Sequence, residues 1–130
     1  MTEFARKFLP VLESAAAAYL KTDIGSAAML SVKRYCEHLE AAAGYPGRHG
    51  NVLYGKNCSV TVSKNSTLEL SEMYANVLVK RLPEKSILPV LRRTKGVLQT
   101  AGLICSPDTR GRLTEMLLRS GVNRVMTAGD

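Results

Sequence analysis

Three cysteines, Cys36, Cys58 and Cys105, are the most reactive side chains in this sequence of 130 residues. They are widely spaced and include no C-x-x-C pair, which argues against both a disulfide framework and a thiolate zinc site. Cys105 ends a predicted strand just before a predicted helix, where a helix N-terminus would stabilise a thiolate nucleophile. Because free cysteine is among the most buried residue types, we favour a buried, unreactive Cys105. Three reduced thiols indicate a cytoplasmic protein.

The two histidines do not complete a catalytic or metal site. His38 lies two residues after Cys36 on a predicted helix, so the two side chains point to different faces and cannot share one metal ion. His49 lies in a glycine-rich loop at residues 44–50, and no carboxylate is near it in sequence to orient it as a general base. We therefore predict no metal site and no catalytic residue in this chain.

Charge and glycine patterns limit the partners. Neither G-x-G-x-x-G nor G-x-x-x-x-G-K-[ST] occurs, so the sequence has no complete cofactor-binding loop. The net charge is +7, and residues 80–95 contain six Lys and Arg against Glu84 alone. This stretch suits nucleic acid, or the phosphates of a nucleotide or coenzyme A, but it has almost no aromatic residues to stack on bases. A stand-alone basic α/β module that binds nucleic acid or another polyanion is the alternative function that this charge leaves open. No apolar run approaches the ~20 residues of a membrane span.

Apolar periodicity predicts two N-terminal helices. The first runs from Thr2 to about Lys21, with Pro10 kinking it or beginning a fresh helix. Residues 25–26, Gly-Ser, then break the chain and cap a second helix at residues 27–43. The three- and four-residue spacing predicts that its buried stripe consists of Met29, Val32, Cys36, Leu39 and Ala43.

Beyond the glycine-rich loop the pattern changes to that of strands. Period-two alternation predicts a hairpin with strands at 51–54 and 58–63, joined through residues 55–57. Further strands are predicted at 77–79, 97–105 and 122–126, and helices at 83–93, disturbed by Pro89, and from a Ser106 cap to Ser120. The last five elements form two successive strand-helix-strand units, which build parallel sheet. We predict one α/β unit over residues 1–130, with a helical part at 1–43 and an α/β part at 51–130.

Residues 96–103, Gly-Val-Leu-Gln-Thr-Ala-Gly-Leu, resemble the gly-x-leu-gln-thr-x-gly segment of the long-chain acyl-CoA reductases that supply aldehyde to bacterial luciferase. Residues 117–125 are similar to the helix, gly-val and arg-val pattern that follows in that family. Upstream, Glu69-Leu70-Ser71 resembles the family's glu-leu-ser, and Glu3-Phe4-Ala5 fits the stretch beyond its catalytic cysteine. Because this family is a branch of the aldehyde dehydrogenase superfamily, the resemblance implies a partial aldehyde dehydrogenase-like catalytic domain.

The resemblance implies a reaction as well as a fold. Family enzymes convert a fatty acyl-CoA to the aldehyde with NADPH through a cysteine thioester. They are several times longer than this chain, and their nucleotide-binding domain and nucleophilic cysteine both precede the part that it resembles. None of its three cysteines occupies the place of the nucleophile. We therefore expect a C-terminal fragment without turnover of its own.

The resemblance also implies two cofactor-contacting residues, Glu72 and Tyr74. Residues 72–77 are similar to the superfamily's glu-x-phe-gly-pro-val, with Ala-Asn where the motif has gly-pro. The Glu and Phe of that motif lie against the nicotinamide ribose, where a carboxylate can accept bonds from hydroxyls and an aromatic ring can pack on the nicotinamide. Glu69 is a rival to Glu72 as the ribose-contacting carboxylate.

The predicted parallel strands lead to an expectation about self-association. Residues 97–105 and 122–126 are apolar in the manner of strands covered on both faces, but about four helices are too few to cover them. The exposed sheet edge should make the 130-residue chain self-associate or remain loosely packed. Sedimentation combined with amide exchange tests this expectation, and a compact monomer with strong protection at 97–105 would contradict it.

Overall fold

A computed structural model describes residues 1–19, 24–43, 51–69 and 75–127. The chain contacts group into two compact units, unit 1 (Met1–Asn65 and Glu69–Arg81) and unit 2 (Ser66–Leu68 and Leu82–Asp130). The α/β class is confirmed, whereas the single-unit organisation stays a prediction. In chain order the described elements are α1 (Thr2–Tyr19), α2 (Ile24–Ala42), β1 (Asn51–Tyr54), β2 (Ser59–Ser63), β3 (Asn76–Lys80), α3 (Glu84–Leu91), a 3₁₀ turn (Arg92–Thr94), β4 (Thr100–Leu103), α4 (Pro107–Arg119) and β5 (Arg124–Thr127).

Unit 1 is built on a mixed sheet in the order β1-β2-β3. The predicted hairpin is confirmed, since β1 and β2 are antiparallel with Leu53 opposite Val60. On its other side β2 pairs in parallel with β3, with Val60 opposite Val77. All five residues of β2 are buried, so this central strand is covered on both faces.

Helix α1 covers one face of the sheet. Ala5 of α1 is fully buried in a core with Val60 and Val62 of β2. These two valines are two positions apart, which places them on the same face of the strand. Because α1 runs unbroken from Thr2 to Tyr19 with Pro10 inside it, no fresh helix begins at the proline. The side chains that pack against this core from α1, β1 and β3 are Phe8, Leu9, Leu12, Leu53 and Val79.

Helix α2 is turned the opposite way from the prediction. The apolar stripe that the spacing predicted to be buried is exposed, with Val32 at 56% and Leu39 at 48% of its full accessible area. Leu30 and Lys33 are buried instead. The predicted cap at residues 25–26 is also wrong, because the helix begins at Ile24 and includes both residues.

Arg34 links α2 to the second, polar face of the sheet. Leu53 faces α1, so Tyr54, the next residue of β1, points to the opposite face. The Arg34 guanidinium of α2 lies 4.6 Å from the centre of the Tyr54 ring, and its Nη2 donates to the carbonyl oxygen of Gly55 at 3.1 Å. Arg34 of α2 therefore contacts Tyr54, which is the register partner of Ser59 and shares the sheet face of the β2 hydroxyl residues. Those hydroxyl residues, Ser59, Thr61 and Ser63, are all buried.

Unit 2 contains one of the two predicted strand-helix-strand units. Strands β4 and β5 are parallel, with Ala101 opposite Val125, and α4 connects them. The other predicted unit, β3-α3-β4, is wrong, because β3 pairs with β2 and not with β4. The predicted strand at 97–105 is shortened to Thr100–Leu103, since the Thr94 carbonyl accepts bonds from Val97 and Leu98 and holds those residues in a turn.

Two residues of the segments that carry the family resemblance have clear structural roles. The Gln99 carbonyl oxygen accepts bonds from the backbone N–H groups of Asn123 and Arg124, at 3.1 and 2.9 Å, and so joins the start of β5 to the start of β4. Gly121 ends α4 with φ +103°, and a Cβ there would lie 2.7 Å from Lys95 Cγ. Position 121 therefore requires glycine both for its backbone conformation and for the close approach of Lys95.

The different burial of two valines in unit 1 predicts different effects of the same substitution on the free energy of unfolding. Val60→Ala removes buried methyl groups from the core and should lower the free energy of unfolding by about 2–3 kcal/mol. Val32→Ala, on the exposed stripe of α2, should change it by no more than about 0.5 kcal/mol. Urea unfolding followed by circular dichroism measures both. A loss at Val32 as large as that at Val60 would contradict the orientation of α2.

Candidate functional site

Polar side chains cluster at the carboxyl ends of β2 and β3. Because these strands are parallel, both end at the same edge of the sheet, and Lys80 is the register partner of Ser63. Ligands of α/β proteins commonly bind outside this edge. Lys80 Nζ lies 2.5 Å from Glu69 Oε1 and 2.7 Å from Asn65 Oδ1, and the Lys80 side chain is only 12% exposed. The cluster therefore consists of a nearly buried cation held by two oxygen acceptors.

Glu69, the rival ribose ligand, belongs to this cluster. Its carboxylate accepts a charge-assisted bond from Lys80, the stronger class of hydrogen bond. A ribose hydroxyl that bound Glu69 would have to share that carboxylate with the lysine. The same pair removes Lys80 from the basic stretch, because its charge is used inside unit 1.

The predicted cofactor contacts Glu72 and Tyr74 lie outside the described residues. The residue after Tyr74 is Ala75, which has φ +59°. This left-handed conformation favours glycine, and glycine is the residue that the similar superfamily motif has at this place. Ala75 therefore adopts a backbone conformation that is uncommon for a residue other than glycine.

Asn76, which stands where that motif has proline, is fixed at the amino end of β3. Its side chain is 95% buried, and its Oδ1 accepts a bond from Ser59 Oγ at 2.6 Å. The Ala75 carbonyl oxygen accepts a bond from the Ser59 N–H at 3.2 Å. The chain just after Tyr74 is thus anchored at the amino edge of the sheet. Glu69 contacts the carboxyl edge of the sheet through Lys80, about 13 Å from Asn76 along the five-residue strand.

The cysteines differ in exposure. Cys58 is buried, whereas Cys36 and Cys105 are exposed, so the expectation of a buried Cys105 is wrong. Strand β4 already ends at Leu103, and the following Ile104 is 87% exposed, which places Cys105 beyond the sheet. The N-terminal end of α4 could stabilise a thiolate at Cys105, but Asp108 in the first turn of this helix places a negative charge there, which disfavours the thiolate.

Burial sets the chemistry of Cys58. Desolvation raises the pKa of the Cys58 thiol, the negative charge of Glu13 raises it further, and a hydrogen bond with the Gly55 backbone lowers it in part. The thiol therefore stays protonated at neutral pH, which is the opposite of what a nucleophile requires. Within the described ranges, no three His, Cys, Asp or Glu side chains are grouped so that they could hold a metal ion.

Comparison with known proteins gives one match. The family model described as "Acyl-CoA reductase (LuxC)" matches residues 1–130. Comparisons with curated proteins and with solved structures find no match. None of the helices in the described part of the chain has the length and hydrophobicity needed to cross a bilayer.

The cysteine environments predict an order of alkylation. In the native chain at pH 7.5, iodoacetamide should modify Cys36 and Cys105 first, and Cys58 roughly tenfold or more slowly. Because the Cys58 pKa is raised above the ordinary value of a thiol, the rate at Cys58 should increase only at alkaline pH. Mass spectrometry of tryptic peptides measures each rate, and alkylation in urea gives the unprotected control. Equal native rates at Cys58 and Cys36 would contradict the packing of the β1-β2 hairpin on α1.

Proposed function

Because the chain belongs to the acyl-CoA reductase (LuxC) family, we propose that it forms the C-terminal part of the catalytic domain of an enzyme that reduces a fatty acyl-CoA to the aldehyde with NADPH. The family match over all 130 residues is the observation that carries this proposal. The nucleophilic cysteine and the nucleotide-binding loop are proposed to lie outside this chain, since the sequence contains neither glycine-rich nucleotide motif.

The cysteines of this chain support a nucleophile elsewhere. A nucleophile that attacks the acyl thioester must be a thiolate and must be reachable by the substrate. Cys58 fails both requirements, because it is fully buried and its pKa is raised. Cys105 meets the requirement for access, because it is exposed. The negative charge of Asp108 in the first turn of the following helix disfavours its thiolate form.

The proposed cofactor contact is made by Glu72 and Tyr74. NADPH supplies the hydride in the proposed reaction. Glu72 would accept hydrogen bonds from its ribose hydroxyls, and Tyr74 would pack against the nicotinamide. The left-handed φ at Ala75 supports this assignment, because that conformation favours the glycine that the motif has at this position. The buried Ser59–Asn76 hydrogen bond also supports it, because it fixes the chain at the start of β3.

An aldehyde dehydrogenase-like architecture is part of the proposal. In that arrangement unit 1 would present the segment before β3 to the cofactor. Side-chain bonds at both ends of β3 support this role. Asn76, at its start, bonds Ser59 of β2, and Lys80, at its end, pairs with Glu69. The contacts that this chain supplies would then be positioning contacts, and the covalent chemistry would take place on the cysteine outside it.

The second candidate function is a basic module that binds nucleic acid. Arg92, Arg93 and Lys95 are exposed, which favours it. Lys80 is withdrawn into its ion pair, which weakens it. Titration with oligonucleotides at increasing salt distinguishes the two, because phosphate contacts give an affinity that falls steeply with salt. Tight, salt-sensitive binding would favour the module over the reductase.

Paired carboxamide substitutions test the proposed cofactor contact. In the acyl-CoA reductase that contains this segment, Glu72→Gln should raise the KM for NADPH roughly 10- to 100-fold, because it removes a charge-assisted bond of about 1.5–3 kcal/mol. Glu69→Gln is the matched control and should leave that KM within about twofold. Steady-state reduction of a fatty acyl-CoA, followed by aldehyde formation, measures both. A larger effect at Glu69 would transfer the contact to it, and an enzyme that forms no aldehyde would overturn the proposed function.

A further inference from the structure

A cavity of about 330 Å³ lies within unit 2, between the segment at 66–68 and the C-terminal half of α3 with its 3₁₀ turn. This volume is at the small end of the range for ligand sites, about 300–1,000 Å³. It can hold one nucleotide-sized end of a ligand but not a whole fatty acyl-CoA. The lining residues are Ser66, Thr67, Leu68, Pro89, Val90, Arg93 and Thr94.

The charge of this cavity is positive. Among the described residues that line it, Arg93 alone is charged, and no described carboxylate pairs with its guanidinium. The nearest acidic residue in sequence, Glu84, is already paired with Arg112. The C-terminal end of α3 contributes a negative partial charge of about half an elementary charge. The full charge of Arg93, with Arg92 and Lys95 beside it in sequence, outweighs that, so the cavity favours an anion.

The remaining lining residues restrict the anion further. Thr94 Oγ1 donates its proton to the Leu91 carbonyl oxygen at 2.8 Å, so this oxygen can only accept a bond from a ligand N–H or O–H. Leu68, Pro89 and Val90 provide an apolar wall. A matching ligand combines an anionic group, a hydrogen-bond donor and a flat apolar surface. A phosphorylated nucleoside has all three, with the phosphate for Arg93, the amino or ribose hydroxyl group for Thr94, and the base for the apolar wall.

We propose that this cavity binds the 3′-phosphoadenosine end of the coenzyme A substrate. The proposal rests on the proposed function, because it takes the acyl-CoA as the source of the phosphorylated nucleoside. The 3′-phosphate would form a bidentate contact with Arg93, and the adenine would lie against Leu68 and Pro89. The acyl thioester would extend out of the cavity, since the volume holds only the nucleotide end.

Calorimetric titration of the 130-residue chain with nucleotide fragments tests the proposal without any turnover. The probes are adenosine 3′,5′-bisphosphate, adenosine 2′,5′-bisphosphate, adenosine 5′-monophosphate and inorganic phosphate. The first should bind at least tenfold more tightly than each of the others. Arg93→Gln should weaken that binding roughly 10- to 100-fold. Arg92→Gln removes the same charge from a residue that does not line the cavity, and it should change the affinity by less than about threefold.

Each contrary result has a defined meaning. Tighter binding of the 2′,5′-bisphosphate would assign the cavity to the phosphorylated ribose of NADPH and overturn the coenzyme A assignment. If inorganic phosphate binds as tightly as the 3′,5′-bisphosphate, the cavity is only an anion site, and the proposal is overturned. If Arg92→Gln and Arg93→Gln weaken binding equally, the nucleotide is attracted by the general positive charge and not by the cavity, which also overturns the proposal. Leu68→Trp, which fills the cavity from a half-exposed position, should abolish binding even if Arg93→Gln does not fold. Because none of these measurements uses aldehyde formation, the cavity assignment can fail while the proposed function stands.

Discussion

The burial of β2 on both faces is the constraint on which unit 1 depends. Val60 and Val62 make one face apolar, and α1 packs there through Ala5 and its neighbouring apolar residues. Burying each valine stabilises the fold by about 1.5–3 kcal/mol. The other face presents hydroxyl groups, and buried hydroxyls are stable only when they have hydrogen-bond partners or polar surroundings.

Arg34 of α2 contacts this second face, where its guanidinium lies over the Tyr54 ring. A helix that packed its apolar stripe into the core would bury Val32 and Leu39. The helix instead turns Lys33 inward and exposes its apolar stripe. Hydrogen bonding on the second face of the sheet is incomplete, since Thr61 Oγ1 is buried and has no hydrogen-bond partner within the described ranges. The exposed apolar stripe of α2 is therefore not part of the core that Val60 and Val62 form with α1.

These constraints separate what the sequence could predict from what it could not. The β1-β2 hairpin and the β4-α4-β5 unit were predictable, because turn residues and short spacing specify local pairing. The buried face of α2 was not, because an apolar stripe indicates amphipathicity without revealing that Leu30 and Lys33 are the residues buried in the folded chain. The partner of β3 depends on a parallel pairing with β2 that no local pattern encodes. At the candidate site, the sequence shows only that Ala-Asn stands where the similar motif has gly-pro, and the left-handed φ of +59° at Ala75 is found only in the structure.

The fate of the basic residues shows why net charge alone is a weak guide to a partner. Unit 1 uses its cations structurally: Arg34 stacks on Tyr54, and Lys80 is held by Glu69 and Asn65. In unit 2, Arg112 and Arg119 are paired with glutamates. Arg92, Arg93 and Lys95 are exposed, and Arg93 lines the cavity beside the apolar residues Leu68 and Pro89. The proposed site for one small phosphorylated molecule needs a single such cation, whereas the repeated phosphates of a nucleic acid bind a row of cations. The charge that suggested a polyanion in the sequence is therefore consistent, in the folded chain, with a cofactor-sized ligand.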